Sequence, residues 1–359
     1  MKKYLSLLLA AVIVFSLVAC GGSAASSAAS SASEQASAAA SSEAAAPGEF
    51  NWKGSGKVVV YSGDDSDMTE KQVAAFTALT GVEVEVVYGG GSELLARIEA
   101  EKDNPLGDVM KGATSDNLSR YTDYFQPYKL ESVTPEQIGH SEPLEEDYWT
   151  EGAGGNMMIF MVNKELLPNE ADWPTSWKDL IDEKYKGQIA FCDPNASSSA
   201  YIHLNCMEQL YGWEFVEKFY QNLDGKIMNS SSSVPKQTAD GEYMVGVTIE
   251  NYGADYTAAG ANIAVIYPED GTMRTRGGTV IIKNCKNPEN AKLWCEFMYS
   301  QANSEIAVSF NRRPARTDVA LPAGLKNFND IKFMDYDYAK AADSEPILEK
   351  WNEIVMNNG

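Results

Sequence analysis

Histidine is almost missing from this chain, with His140 and His203 its two examples in 359 residues. No GxSxG, HExxH or GxxxxGKS/T segment occurs either. That leaves little from which to assemble a nucleophile with its base, a zinc hydrolase site or a phosphate-binding loop, so the chain reads as a binder rather than an enzyme. Positive charge is scarce: 29 Lys and Arg stand against 51 Asp and Glu, for a net charge of −22. A field of that sign repels nucleic acid and anionic headgroups, which excludes a nucleic-acid function. Cysteine is rare and never spaced as CxxC, which argues against a thiolate metal site. No long apolar run follows the first twenty residues. What the sequence does have is 44% apolar residues, enough for sizeable cores in a chain of roughly two domains.

The amino terminus is the most specific segment. Lys2 and Lys3 precede an uncharged apolar run from Leu5 to Ala19, too short for a comfortable membrane span. The run ends in Leu17-Val18-Ala19-Cys20, followed by Gly21. This resembles the lipobox of bacterial lipoproteins. The resemblance implies a signal peptide over 1–19, cleavage before Cys20 and lipidation of Cys20. Several acyl chains together would hold a protein on a membrane stably. Residues 23–47 are nearly all Ser and Ala and have no apolar stripe to bury, so 20–55 reads as a tether, extended or fluctuating helix. An extracellular setting permits disulfides. Cys192–Cys206 with Cys285–Cys295 is one of three pairings, and four buried thiols are the alternative.

Beyond the tether, short strands alternate with helices. Lys57 to Tyr61 reads as a buried strand, Glu70 to Thr80 as a helix ended by Gly81, and Val82, Val84 and Val86 as a half-buried strand. Ser92 is a candidate cap for a helix through Glu101, and Gly107 to Met110 opens another strand. A second unit follows: strands at 156–162, 188–191, 243–249, 263–267 and 279–283, with helices at 177–181, 200–211, 236–240, 288–300 and 345–356. This order predicts open, mostly parallel sheets flanked by helices. Ligands of such sheets sit outside the strands' carboxyl ends, where Ser- and Gly-rich turns expose N–H groups.

Several segments in a fixed order carry a family resemblance: Pro174 to Leu180, Tyr185 to Ile189, Pro194 to Tyr201, Asp240-Gly241-Glu242, Tyr267 to Thr272, Gly277-Gly278 and Lys286 to Ala291. Together they resemble the extracellular solute-binding proteins of ABC importers, in the branch with ferric-ion, sugar-phosphate and phosphonate binders. The resemblance implies an α/β, two-lobed type 2 periplasmic-binding-protein fold with a ligand cleft between lobes. It divides the chain into lobe 1 (56–157 plus 271–315) and lobe 2 (158–270 plus 316–359). It also implies a monomer that closes over its solute and delivers it to a membrane permease with its ATPase. A ligand-presenting sensor would share fold and pocket.

Two ligand chemistries follow from the resemblance. Ferric-ion binders place two adjacent tyrosines after the strand at 245–249. This chain has Glu250-Asn251-Tyr252-Gly253, a single Tyr, and no His near Gly63-Asp64. Tyr252, Tyr256, Asp64 and Asp270 are the alternative oxygen-rich metal set. Phosphoryl binders hold an oxyanion on a hydroxyl-rich turn at a helix start, which Ser197, Ser198 and Ser199 match; Ser231 and Ser232 supply a second turn. Ser62, Gly63, Asn251, Tyr252 and Asp270 complete the expected ligand set, with no cofactor and no resident metal. N–H groups, hydroxyls and the helix dipole all favour an anion. Arg274, Arg276, Arg312 and Arg313 are either rim cations for that anion or solvated surface charges.

Overall fold

The computed structural model describes residues 50–139, 154–275 and 277–358. The lipobox, Cys20, most of the tether, His140 and Arg276 lie outside them. Lys57–Ser62 (β1) is buried from its second residue onward, as a run of Val-Val-Val-Tyr must be when both faces of a strand are covered. It lies inside a five-stranded sheet ordered β2-β1-β3-β9-β4, with β2 Glu83–Tyr88, β3 Val109–Thr114, β4 Phe125–Gln126 and β9 Gly277–Ile282. A second sheet is ordered β6-β7-β5-β8, from Met158–Asn163 (β5), Ile189–Ala190 (β6), Val245–Ile249 (β7) and Ile263–Ile266 (β8).

Each sheet contains one reversed strand. β9 runs against β3 and β4, and β5 runs against β7 and β8. The cause is the chain path. Residues 154–157 lead directly into β5, residues 272–275 run up to β9, and the two segments pair with each other. Thr275 N donates to Asn156 O at 2.8 Å and Met158 N to Met273 O at 3.1 Å. A strand that starts at the crossing points away from it, so the other strands end there. The carboxyl ends of both sheets therefore face one region, where open α/β sheets bind ligands.

Eleven helices flank the sheets among the described residues: α1 Ser66–Thr80, α2 Gly91–Ala100, α3 Ser115–Leu118, α4 Ser198–Tyr211, α5 Trp213–Leu223, α6 Ser233–Ala239, α7 Glu250–Ala258, α8 Pro288–Met298, α9 Gln301–Ser309, α10 Tyr338–Ala342 and α11 Ser344–Asn358. None is long and apolar enough to cross a membrane. α1 begins four residues before the expected Glu70. Asp65 caps it, accepting from Asp67 N and Met68 N at 3.0 and 3.2 Å. The cap of α2 is Gly90, not Ser92, and Glu93 Oε2 reaches back to Gly90 N.

Three cores result. Around the first sheet, Phe76 meets Trp294 and Phe297 edge-on, with centroids 4.9 and 5.5 Å apart. Around the second, Phe160 stands perpendicular to Trp177 at 5.0 Å, and Trp351 of α11 packs on Phe191 and Tyr220. Such pairs add about 0.5–1.5 kcal/mol each beyond area burial. Met158, Phe160 and Val162 face that core, while Met157, Ile159 and Met161 face a smaller one with Ile263 and Tyr267. The strand period of two thus explains why all of β5 is buried. Cys192, Cys206, Cys285 and Cys295 are free thiols, all buried, so the paired alternative does not occur. Burial pushes each thiol up from its ordinary value.

Candidate functional site

A cavity of about 550 Å³ opens at the carboxyl ends of β1 and β3, within the usual size of small-molecule sites. One wall comes from the end of β1 and from α1, the floor from residues 111–114, and the back from the crossing segments 154–156 and 274–275. Asn251 at the start of α7, residues of α8 and α9, and Arg312, Arg313 and Ala315 complete it. A second hollow of about 700 Å³ is lined by Phe50, Lys53, Tyr128, Glu131, Pro288 and Asn290, among others. It lies at the start of α8, where Asn290 bonds Ser55 O and Lys57 O. That is the amino end of β1, so it does not share the strand-end chemistry.

The floor depends on two glycines. Gly63 N donates to Lys111 O at 3.0 Å, and a Cβ on Gly63 would stand 2.9 Å from Gly112 O. Gly112 has φ +83 and interrupts the register of β3 against β9 between Met110 and Ala113. Beside this irregularity sits Lys111, its side chain 1% exposed, with Nζ 2.7 Å from Asp64 Oδ2; Asp64 is 34% exposed. A buried ammonium needs a partner, and three donors need more than one acceptor. Among the described residues Lys111 bonds Asp64, which accepts at one of the three N–H donors of the ammonium.

On the opposite side the charges are paired. Glu250, the first residue of α7, is clasped by Arg313: Nε lies 2.7 and 3.2 Å from its two oxygens, and Nη2 lies 3.1 Å from Oε2. Arg313 Nη2 also donates to Lys326 O at 2.8 Å. Burial raises the Glu250 carboxyl above its ordinary range, against the pull of Arg313. Arg312 Nη1 lies 3.0 Å from both oxygens of Asp255. The Arg274 guanidinium sits 5.1 Å over the Phe328 ring. The lining thus holds four basic side chains, Lys111, Arg274, Arg312 and Arg313, and two acidic ones, Asp64 and Asp65. Three of the four are matched by carboxylates: Lys111 by Asp64, Arg312 by Asp255 and Arg313 by Glu250.

Of the residues expected from sequence, Gly63 and Asn251 line the cavity, and Tyr252 is half-buried beside Asn251. Ser62 lies beneath it, its Oγ 3.3 Å from Thr69 Oγ1 and accepting from Asp64 N. Ser197, Ser198 and Ser199 stand outside the lining. Ser197 caps α4, its Oγ pairs with Ser199 Oγ at 3.0 Å, and Ser198 is exposed. The two-residue β6 before them is an edge strand, removed from β5 at the crossing. Ser231 and Ser232 also stand outside, with Ser232 Oγ 2.8 Å from Ser230 Oγ. Asp270 also stands outside the lining: its Oδ2 accepts from Trp177 N at 2.9 Å and from Tyr211 Oη at 2.5 Å, joining the 177–181 turn to the end of α4, while its buried Oδ1 has no partner among the described residues. Sequence reasoning missed Lys111, whose signal is a charge inside the apolar run Val109-Met110-Lys111. Among the described residues, no three His, Cys, Asp or Glu side chains converge as a metal site would require.

Known proteins share this plan. Iron uptake protein A1 of Synechocystis is 26% identical over 300 residues, 77% of this chain and 80% of the relative. A Salmonella typhimurium periplasmic protein, provisionally described as 2-aminoethylphosphonate-binding, is 24% identical over 295 residues, 73% of this chain and 80% of its own. The structure superposes on the periplasmic binding protein AfuA of Actinobacillus pleuropneumoniae, solved with fructose-6-phosphate, with a TM-score of 0.63 and 25% identity over 84% of this chain and 99% of that one. The family model for bacterial extracellular solute-binding proteins matches residues 111–342, and the chain belongs to that family.

Proposed function

We propose that this protein captures a small oxyanion-bearing solute, such as a sugar phosphate or phosphonate, and hands it unchanged to the permease of an ABC importer. The observation that carries the reading is Lys111, a buried ammonium at the cavity floor with one half-exposed carboxylate as its partner. An incoming oxyanion can take the donors Asp64 leaves open. Gly63 lets backbone approach closely there, and Asn251 offers a neutral polar group from the other side. We divide the molecule at the crossing, with 56–157 plus 271–315 as lobe 1 and 158–270 plus 316–359 as lobe 2. Closure of one lobe on the other would bury the solute. Lipidation at Cys20 would hold the protein, as a monomer, on the outer face of the membrane. The iron reading draws on the Synechocystis relative, but among the described residues no three His, Cys, Asp or Glu side chains converge to hold the ion.

Titration calorimetry tests this with fructose 6-phosphate, 2-aminoethylphosphonate and ferric citrate, on the wild type, Lys111→Met and Asp64→Asn. A charge-assisted hydrogen bond is worth about 1.5–3 kcal/mol, so Lys111→Met is expected to weaken the bound phosphoryl compound about 10- to 100-fold. Asp64→Asn removes the competing carboxylate and is expected to hold or tighten binding. Full affinity in Lys111→Met, or binding of ferric ion alone, would reject the proposal.

A further inference from the structure

Helix α1 turns one face to the cleft. Asp65, its cap, then Met68 and Gln72 recur at intervals of three and four and all line the cavity. Asn303 and Ala307 of α9, also four apart, line it too. Gln72 and Asn303 are 2% and 5% exposed, and their bonds fix which way each amide faces. Asn303 Nδ2 donates to Met298 O at 2.7 Å. A carbonyl only accepts, so the NH₂ of Asn303 must face it and Oδ1 must face Gln72. Gln72 Nε2 donates to that Oδ1 at 2.8 Å. What remains is Gln72 Oε1, a buried acceptor with no partner, and an open buried acceptor calls for a donor.

We infer that Gln72 is a specificity-determining residue: its Oε1 accepts from a hydroxyl or amine on the body of a solute whose oxyanion is held at Lys111. The inference rests on the proposed reading of the cleft and narrows its substrate class to anions that also carry a hydrogen-bond donor. Asn303 is the positioning residue, since it prevents the Gln72 amide from turning over and presenting its NH₂ instead. A site built to pair with a hydroxyl rejects the analogue lacking it, because the acceptor is then left unmatched.

Two matched pairs test this: 2-hydroxyethylphosphonate against ethylphosphonate, and glycerol 3-phosphate against propyl phosphate. In the wild type the hydroxylated member of a pair is expected to bind about 3- to 10-fold tighter. Gln72→Met, of similar length but without the acceptor, is expected to bring that ratio to equality while the plain member keeps its affinity. Asn303→Leu, which frees the Gln72 amide, is expected to lower the same ratio. Because each ratio is taken within one protein, damage to α1–α9 packing that weakens both ligands alike does not imitate the result. Equal affinities within both pairs in the wild type overturn the inference, as does a ratio that survives Gln72→Met, the result expected if water satisfies Oε1. If none of the four compounds binds the wild type, the oxyanion reading itself falls, and this inference with it.

Discussion

The carboxyl ends of the two sheets both carry polar side chains, but in different states of commitment. At the first sheet, Lys111 has one half-exposed partner and Gln72 keeps an open oxygen. At the second, Glu250 is clasped by Arg313 and Ser197 closes the first turn of α4. A group whose hydrogen bonds are already made holds the fold together, while one with spare capacity is free to meet a solute. The first sheet should therefore dominate affinity and the second stability.

The two ends are expected to respond differently to the loss of a cation. Arg313→Met strands the Glu250 carboxylate in the interior and is expected to cost about 3–5 kcal/mol in urea unfolding. Lys111→Met, which leaves a half-exposed Asp64, is expected to cost about 1 kcal/mol or less. Equal losses would erase the distinction between the two ends.

The next effect comes from His203, inside the second core. Its Nε2 lies 2.9 Å from Thr248 O, its Nδ1 has no partner, and burial pushes the imidazole down to about 4. The unfolded chain takes up this proton near pH 6.5, and the folded one only near 4. Stability present above pH 6.5 is therefore lost as pH falls through that window, by about 3 kcal/mol in all. His203→Phe is expected to flatten the fall in unfolding free energy between pH 6.5 and 4. An unchanged slope would place the acid sensitivity elsewhere.

Ser198 is exposed and outside the cavity lining, so Ser198→Glu is expected to shift affinity by about 0.5 kcal/mol or less, roughly twofold, in the same titration. A larger loss would move part of the contact to the start of α4.

Much of the fold was legible because its causes are local. The Val58–Tyr61 run, the Gly81 stop and the strand at 156–162 each follow from neighbouring residues. The reversed strands were not legible, since they depend on where residues 154–157 and 272–275 meet. Helices α5, α7 and α9 went unrecognised; α7 contains Gly253 and α9 opens on polar residues, and both are held by packing rather than propensity. The candidate site was legible mainly as glycine turns. Asp270 read as available because its partners cannot be seen nearby: it meets Trp177 across 93 positions, and Glu250 meets Arg313 across 63. Lys111 could be read as anomalous but not as buried in a cleft.

Because residues 154–157 and 272–275 lie side by side, the segment that forms the second sheet departs from the first and returns to it at one point. At that seam a Cβ on Gly155, which has φ +94, would stand 2.3 Å from Thr275 O, so the junction tolerates no side chain. An insert whose ends are neighbours behaves as a cassette. Exchange of this segment between relatives at the seam, with the carboxyl-terminal helix carried along to cover it, is expected to leave the first sheet folded.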